Sequence, residues 1–158
     1  MKLYTKLNLY ISRSAILSCF ILLVSQLNFT QKVQEVKPIG KLEVIITGFS
    51  NNVGDCWFAI DNSRDVYERE DTVWIGKILP IENNQVSVVI DSLAYGEYAV
   101  RVFHDENRNG KLDTNFLGIP SEDYGYSNDA SGWFGPPSWE KAKFVFNQPK
   151  MTINIKID

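Results

Sequence analysis

Apolar residues recur at every second position through much of this chain, and that period decides its fold class. The clearest case is Tyr98–Phe103, where Tyr98, Val100 and Val102 face one way and Ala99, Arg101 and Phe103 the other, the alternation of a half-buried strand. Leu42, Val44 and Ile46 alternate in the same manner with Glu43, Ile45 and Thr47, and Cys56, Phe58 and Ile60 form one face of a second strand after the Asn51-Asn52-Val53-Gly54 turn cluster. Further strands are expected over Val73–Ile81, weakened by Gly76 and Pro80, over Val86–Ile90 after the Glu82-Asn83-Asn84 turn, briefly over Phe144–Phe146, and over Met151–Ile157. Asp61–Asp71 is charged and has no apolar period, so it reads as a loop or a poor helix. Six or seven short strands with no convincing helix predict an all-β domain: a single antiparallel β-sandwich, Ig-like or transthyretin-like, of about seven strands with one long loop. Its core is expected to hold Val44, Ile46, Phe58, Ile60, Val88, Ile90, Val100, Val102, Ile153 and Ile155.

The domain is expected to span residues 41–158. Before it, residues 1–30 carry Lys2, Lys6 and Arg13, no acidic residue, and an apolar run from Ala15 to Val24. A basic start followed by about ten apolar residues, too few to cross a bilayer as a helix, reads as a secretory signal peptide. Residues 31–40, polar with Pro38 and Gly40, read as a short linker. Cys19 lies inside the apolar run instead of after it, which argues against lipidation, and cleavage leaves Cys56 as the sole cysteine, with no intramolecular disulfide available. These features predict an exported protein, periplasmic or extracellular, with no membrane span after cleavage. Loss of the three N-terminal cations leaves 13 basic residues against 19 acidic, a balance of −6 instead of −3, which disfavours nucleic acid as a partner and tolerates cations.

After Phe103 the strand period stops. From His104 to Lys143 the chain is acidic and Asn-rich, then rich in Gly, Pro and aromatics. A connection this long is uncommon in a small domain unless it is functional, disordered or ordered by a ligand, and its aromatics argue against disorder. Asp105, Asn107, Asn109 and Gly110 match the Ca²⁺-loop pattern D-x-[DN]-x-[DN]-G in order. Asp113 adds an oxygen at the ninth position and the carbonyl of Lys111 fills the seventh. A hard cation takes six to eight oxygens at about 2.4 Å, which alternate residues of a tight loop supply. Position twelve is Phe116, so a bidentate Glu is missing locally. Either Glu122, Asp123 or Asp129 returns to complete the shell, or the site is weak, with a Kd of roughly 10⁻⁴–10⁻³ M. A metal-free alternative stands beside this one: Asn109-Gly110 is also a type I′ hairpin signal, and Asp and Asn form turns unaided.

The aromatics Tyr124, Tyr126, Trp133, Phe134 and Trp139 are candidates for a surface that binds a protein or carbohydrate partner. The alternative for Trp133, Phe134 and Trp139 is packing over one end of the domain. His104, the only histidine, has no second His to suggest a transition-metal site and no nucleophile motif beside it, and it reads as a structural or solvated residue at a strand end. Glu122 and Asp123 are adjacent carboxylates, and consecutive loop residues rarely converge as an acid/base pair. Cys56 reads as a small buried hydrophobe.

The string HDENRNGKLDTNFLGIPSEDYGYSNDASGWFGPPSWEKAKF resembles the signature of a bacterial family of secreted proteins of unknown function, whose members share HDEN-NGKLD, NFLGIP-E-YG-SN and FGPPS-E-A-F. The likeness is close from Ser92 to Phe146 and weaker from Leu42 to Ile90, with Tyr126 and Trp139 where the family often has Phe. It implies a small exported β-sandwich with no activity established for the class. The stretch from Gly96 to Asp105 is also similar to transthyretin-like and carboxypeptidase-regulatory-like sandwiches, which serve binding or scaffolding more often than catalysis. The expected function is therefore a non-catalytic binding module with a Ca²⁺-ordered loop. A metal-free structural or assembly domain is the alternative, and a hydrolase using His104, Glu122 or Asp123 a more remote one.

Overall fold

The computed structural model describes residues 36–158 apart from 70 and 134. The expected signal peptide, most of the linker and the Phe134 side of the aromatic surface lie outside the described residues. Strands β1 (Ile39–Thr47), β2 (Asp55–Asp61), β3 (Ile75–Pro80), β4 (Gln85–Ala94) and β5 (Gly96–Asp105) follow in order. β6 (Tyr124–Tyr126), β7 (Phe144–Phe146) and β8 (Lys150–Lys156) come later, with one helical turn α1 (Arg64–Tyr67) after β2 and a second, α2 (Trp139–Ala142), before β7. The domain is mostly β and is built on two sheets. The smaller runs β4-β1-β8; the larger runs β3-β2-β5-β6, with β7 also on β5.

The chain changes sheet at tight turns. β3 passes to β4 through Asn83-Asn84, both at positive φ (54° and 58°), while Glu82 and Gln85 exchange backbone hydrogen bonds of 3.1 Å, the geometry of a type I′ turn. Among the described residues all strand pairings are antiparallel except one: β8 lies parallel to β1, with Val44 opposite Ile153 and Ile46 opposite Ile155. The purely antiparallel expectation is corrected there. Alternation specifies which face of a strand is buried and carries no information on the direction of its neighbour.

That alternation builds the core. Leu42, Val44, Ile46, Val86, Val88 and Ile155 of the small sheet and Cys56, Phe58, Ile60, Tyr98, Val100 and Val102 of the large one form a single buried cluster. Burial of each large aliphatic or aromatic side chain in it contributes about 1.5–3 kcal/mol relative to exposure. Ile90 and Ile153, expected in this core, are only partly buried and pack against it, while Phe49, Phe144, Phe146 and Ile157 complete it. A second, smaller cluster of Tyr67, Ala99, Tyr126, Trp139 and Ala142 covers the opposite face of β5.

Candidate functional site

β5 ends in alternation too, and this ending lays out the site. Tyr98, Val100, Val102 and His104 point to the core face, and His104 is fully buried. The solvated alternative for this histidine is thereby corrected: the period that buries Val102 also buries the residue two further on. Asp105, on the other face, is 2% exposed and opens the Asn-rich loop. Gly54 closes the space above. Its φ is +83° and a Cβ there would stand 2.2 Å from the carbonyl oxygen of Asp105, so only glycine lets the two backbones approach.

The loop after Asp105 is drawn inward by its own side chains. Asp105 accepts the N–H of Asn109 on Oδ1 (3.0 Å) and that of Gly110 on Oδ2 (2.8 Å). Asn107 Oδ1 accepts the N–H of Asn109 at 3.0 Å and Asn109 Oδ1 that of Lys111 at 2.8 Å. The two amide groups then donate to Asp113: Asn107 Nδ2 to Oδ2 (2.6 Å) and Asn109 Nδ2 to Oδ1 (2.9 Å). Gly110 sits at φ +75° and supplies the bend. The second residue at positive φ is Arg108 (60°), not Asn109, so the two-residue type I′ hairpin does not form. Arg108 instead reaches back to Asp55 (Nε–Oδ2 2.9 Å) and to the carbonyl of Gly54 (3.2 Å).

Of the three carboxylates considered for the missing twelfth position, Glu122 lies at the loop. Its Oε1 accepts the N–H of Glu106 (3.0 Å) and its Oε2 that of Asp113 (2.9 Å), so one side chain spans the start and the ninth position of the loop. Asp123 turns the other way and accepts the Ser50 N–H at 3.3 Å. Asp129 is engaged by the Lys156 N–H. The donor set around the loop is thus carboxylate, amide and backbone oxygen only, the chemistry of a hard cation. To present their Oδ1 atoms to an ion, Asn107 and Asn109 must release the contacts that close on Asp113.

Beyond Asp113 the chain makes a small loop, Thr114–Pro120, pinned by Asn115. Its Oδ1 accepts the N–H groups of Leu117 (2.9 Å) and Ile119 (3.2 Å), and its own N–H donates to the Ile119 carbonyl. The rigid tip leaves Phe116 95%, Leu117 67% and Ile119 56% exposed. Sequence reasoning missed this surface, since an apolar trio among turn residues carries no period to mark its direction.

The expected aromatic surface divides. Tyr126 and Trp139 are buried in the second cluster with Tyr67, whose hydroxyl donates to the Pro137 carbonyl at 2.9 Å. They are corrected from surface to packing residues: β6 pairs on β5 and carries Tyr126 onto its outer face, and the helical turn α2 brings Trp139 against it. Burial raises the Tyr67 and Tyr126 phenols above their ordinary range. Tyr124 is 36% exposed and Trp133 92% exposed. Ser127 ties this region down by accepting the N–H of Val100 (2.8 Å) and donating to the Ala142 carbonyl (2.6 Å). Much of the segment expected to need a bound ion is therefore ordered by its own packing, and a cation in the loop has only about Asp105–Asp123 left to organise.

A shallow cleft of about 370 Å³ is lined by Tyr124, Tyr126, Asp129, Lys156 and Asp158 among others and contains none of the loop donors. The hydrolase candidates do not share a face: Glu122 holds two backbone N–H groups, while His104 and Asp123 lie on the opposite side. Cys56 is buried and free, and burial pushes its thiol up to about 12, which keeps it protonated and unreactive. Among the described residues no helix is long and apolar enough to cross a membrane.

Comparison with known proteins identifies a family. A family model described as an uncharacterized protein conserved in bacteria, DUF2141, matches residues 44–154. No curated protein and no solved structure matches the chain.

Proposed function

The chain belongs to DUF2141, a family of proteins conserved in bacteria, and we propose that it is an exported, non-catalytic β-sandwich module that binds a partner through a Ca²⁺-ordered loop. The observation that carries this reading is the reach of Glu122 across the loop. A D-x-N-x-N-G turn without its terminal Glu has too few charged oxygens, and a carboxylate returning from elsewhere in the chain supplies the missing one. Asp105, Asn107, Asn109, the Lys111 carbonyl, Asp113 and Glu122 would be the ligands. The apolar tip of Phe116, Leu117 and Ile119, rooted on this loop, and the exposed Tyr124 and Trp133 supply the contact surface for a protein or carbohydrate partner. An exported domain with no disulfide must hold together by its core or by a metal, and the weak affinity expected of this loop lies in the range of extracellular calcium modules.

One observation favours the metal-free alternative: the Asn107 and Asn109 amides close on Asp113 without an ion. Calorimetric calcium titration with parallel melts separates the two. Binding of one ion with a Kd near 10⁻⁴–10⁻³ M and a rise in Tm at millimolar calcium is expected. Absence of both heat and Tm shift would leave a plain structural domain.

A further inference from the structure

The buried face of the same strand end carries a second constellation. His104 Nε2 lies 2.6 Å from the Val53 carbonyl oxygen. A carbonyl only accepts, so Nε2 holds the proton and Nδ1 is left with a lone pair. Nδ1 has no hydrogen-bond partner although the side chain is fully buried. It faces two carboxylate oxygens, Glu106 Oε1 at 3.7 Å and Asp123 Oδ2 at 4.0 Å. Three electron-rich atoms thus approach one another; the two carboxylate oxygens keep hydrogen-bond donors and solvent, while the buried Nδ1 alone is left unpaired, which is costly.

The surrounding donors hold this arrangement. Ser50 Oγ and Asn51 Nδ2 each donate to Glu106 Oε1 at 3.0 Å, and the Ser50 N–H donates to Asp123 Oδ2. A ring nitrogen pinned to a backbone carbonyl, with its other nitrogen free, is the arrangement that orients a metal-ligating histidine. A proton on Nδ1 can serve one carboxylate; a divalent ion uses all three donors and cancels both charges. In a tetrahedral site with bonds near 2.1 Å, donor atoms stand about 3.4 Å apart. Among the described residues no three His, Cys, Asp or Glu side chains stand close enough, as they are placed, to hold a metal ion, so this site requires two carboxylates to move. Here the separations exceed that edge by a few tenths of an ångström, which the half-exposed Glu106 and Asp123 side chains (47% and 31%) can draw in from solvent.

We propose that His104 Nδ1, Glu106 and Asp123 form a second cation site, for a borderline divalent ion of the zinc type, with its fourth position open to water or a ligand. Strand alternation makes the two sites possible together. Asp105 and Glu122 turn to the oxygen-only loop, while their neighbours His104, Glu106 and Asp123 turn to the opposite face, where a nitrogen joins two oxygens and favours a softer ion. The site is independent of calcium in the loop and stands or falls separately.

The test is Zn²⁺ calorimetry on the full chain held at saturating calcium, with Co²⁺ absorption spectroscopy as the second readout. One Zn²⁺ per chain is expected, and Co²⁺ is expected to show the visible band of a low-symmetry N/O site. Glu106→Gln and Asp123→Asn, both at half-exposed positions, are each expected to weaken Zn²⁺ by at least about 100-fold, beyond the ~10–100-fold that follows from losing an outer partner. Asp113→Asn, which removes only a loop donor, is expected to abolish calcium heat and leave the zinc isotherm unchanged. No stoichiometric uptake, uptake that survives both carboxylate substitutions, or uptake lost in Asp113→Asn would each overturn the proposal. The last outcome would mean that zinc merely enters the calcium loop.

Discussion

Replacing Glu122 by glutamine keeps the size of the side chain and removes its charge. In the chain as it stands, the carboxylate accepts two backbone N–H groups, Glu106 at 3.0 Å and Asp113 at 2.9 Å, and hydrogen bonds to a charged group contribute roughly 1.5–3 kcal/mol each. The amide retains one acceptor oxygen and turns an NH₂ group toward the other N–H. One charged bond is therefore lost and the second weakened, with solvent at the half-buried site offsetting part, a net cost of about 2 kcal/mol without metal. Calcium enlarges the difference. With a Kd of about 10⁻⁴ M, 10 mM calcium stabilises the native chain by ~2.7 kcal/mol, and a variant binding ~100-fold more weakly recovers only ~0.4 kcal/mol. Urea denaturation followed by circular dichroism in chelator and in 10 mM calcium reads both terms. The stability gap between the unaltered chain and Glu122→Gln is expected to widen from about 2 to about 4 kcal/mol on adding calcium. An equal gap in both buffers would show that Glu122 is a structural staple and remove the ground for a completed calcium shell.

Gly54→Ala places a Cβ 2.2 Å from the Asp105 carbonyl at a positive φ; a loss of at least about 2 kcal/mol is expected in a denaturant titration, with weaker calcium heat, since the strand end that anchors the loop must shift. Trp139→Ala, at a side chain 5% exposed and packed 5.8 Å from the Tyr67 ring, is expected to cost about 3–5 kcal/mol. Trp133→Ala, at 92% exposure, is expected to stay within about 0.5 kcal/mol, and the reverse ranking in parallel unfolding curves would contradict the division of the aromatics. Burial lifts the Cys56 thiol from 9.0 to about 12, so between those values the unfolded chain releases a proton that the native chain keeps. Stability is expected to fall as pH rises through that window, with a slope approaching ~1.4 kcal/mol per pH unit from this group. Cys56→Ala should lose that component between about pH 9 and 10, read as the difference in slope between the two chains because the tyrosines contribute equally to both, and an unchanged slope would disprove it.

How far the sequence reveals this molecule depends on whether a residue's surroundings are set by its own strand or by a distant one. The inward faces of β1, β2 and β5 are legible because each strand repeats its signal three or four times. His104 belonged to that signal as well, two residues beyond Val102; its type left a structural and a solvated reading open, and the period decides for the buried one. The Asp105–Asp113 spacing announces a loop of inward oxygens, whereas the partnership of Glu122 depends on the backbone pairing of His104 N–H with the Asp123 carbonyl at 2.8 Å, a contact with no local signature. That pairing also determines what lies opposite His104. Trp133 and Trp139 are the same residue type in the same Gly/Pro-rich stretch, yet one is solvent-facing and the other buried, because β6 and α2 deliver Trp139 to the Tyr67 cluster. Residue type gives the capacity for burial, and only pairing on β5 decides which aromatic uses it. The alternation of β5 thus does two things at once: it builds the core up to Val102, and at its last turns it separates oxygen donors from the histidine, so that one strand end presents two chemically different faces within a few residues.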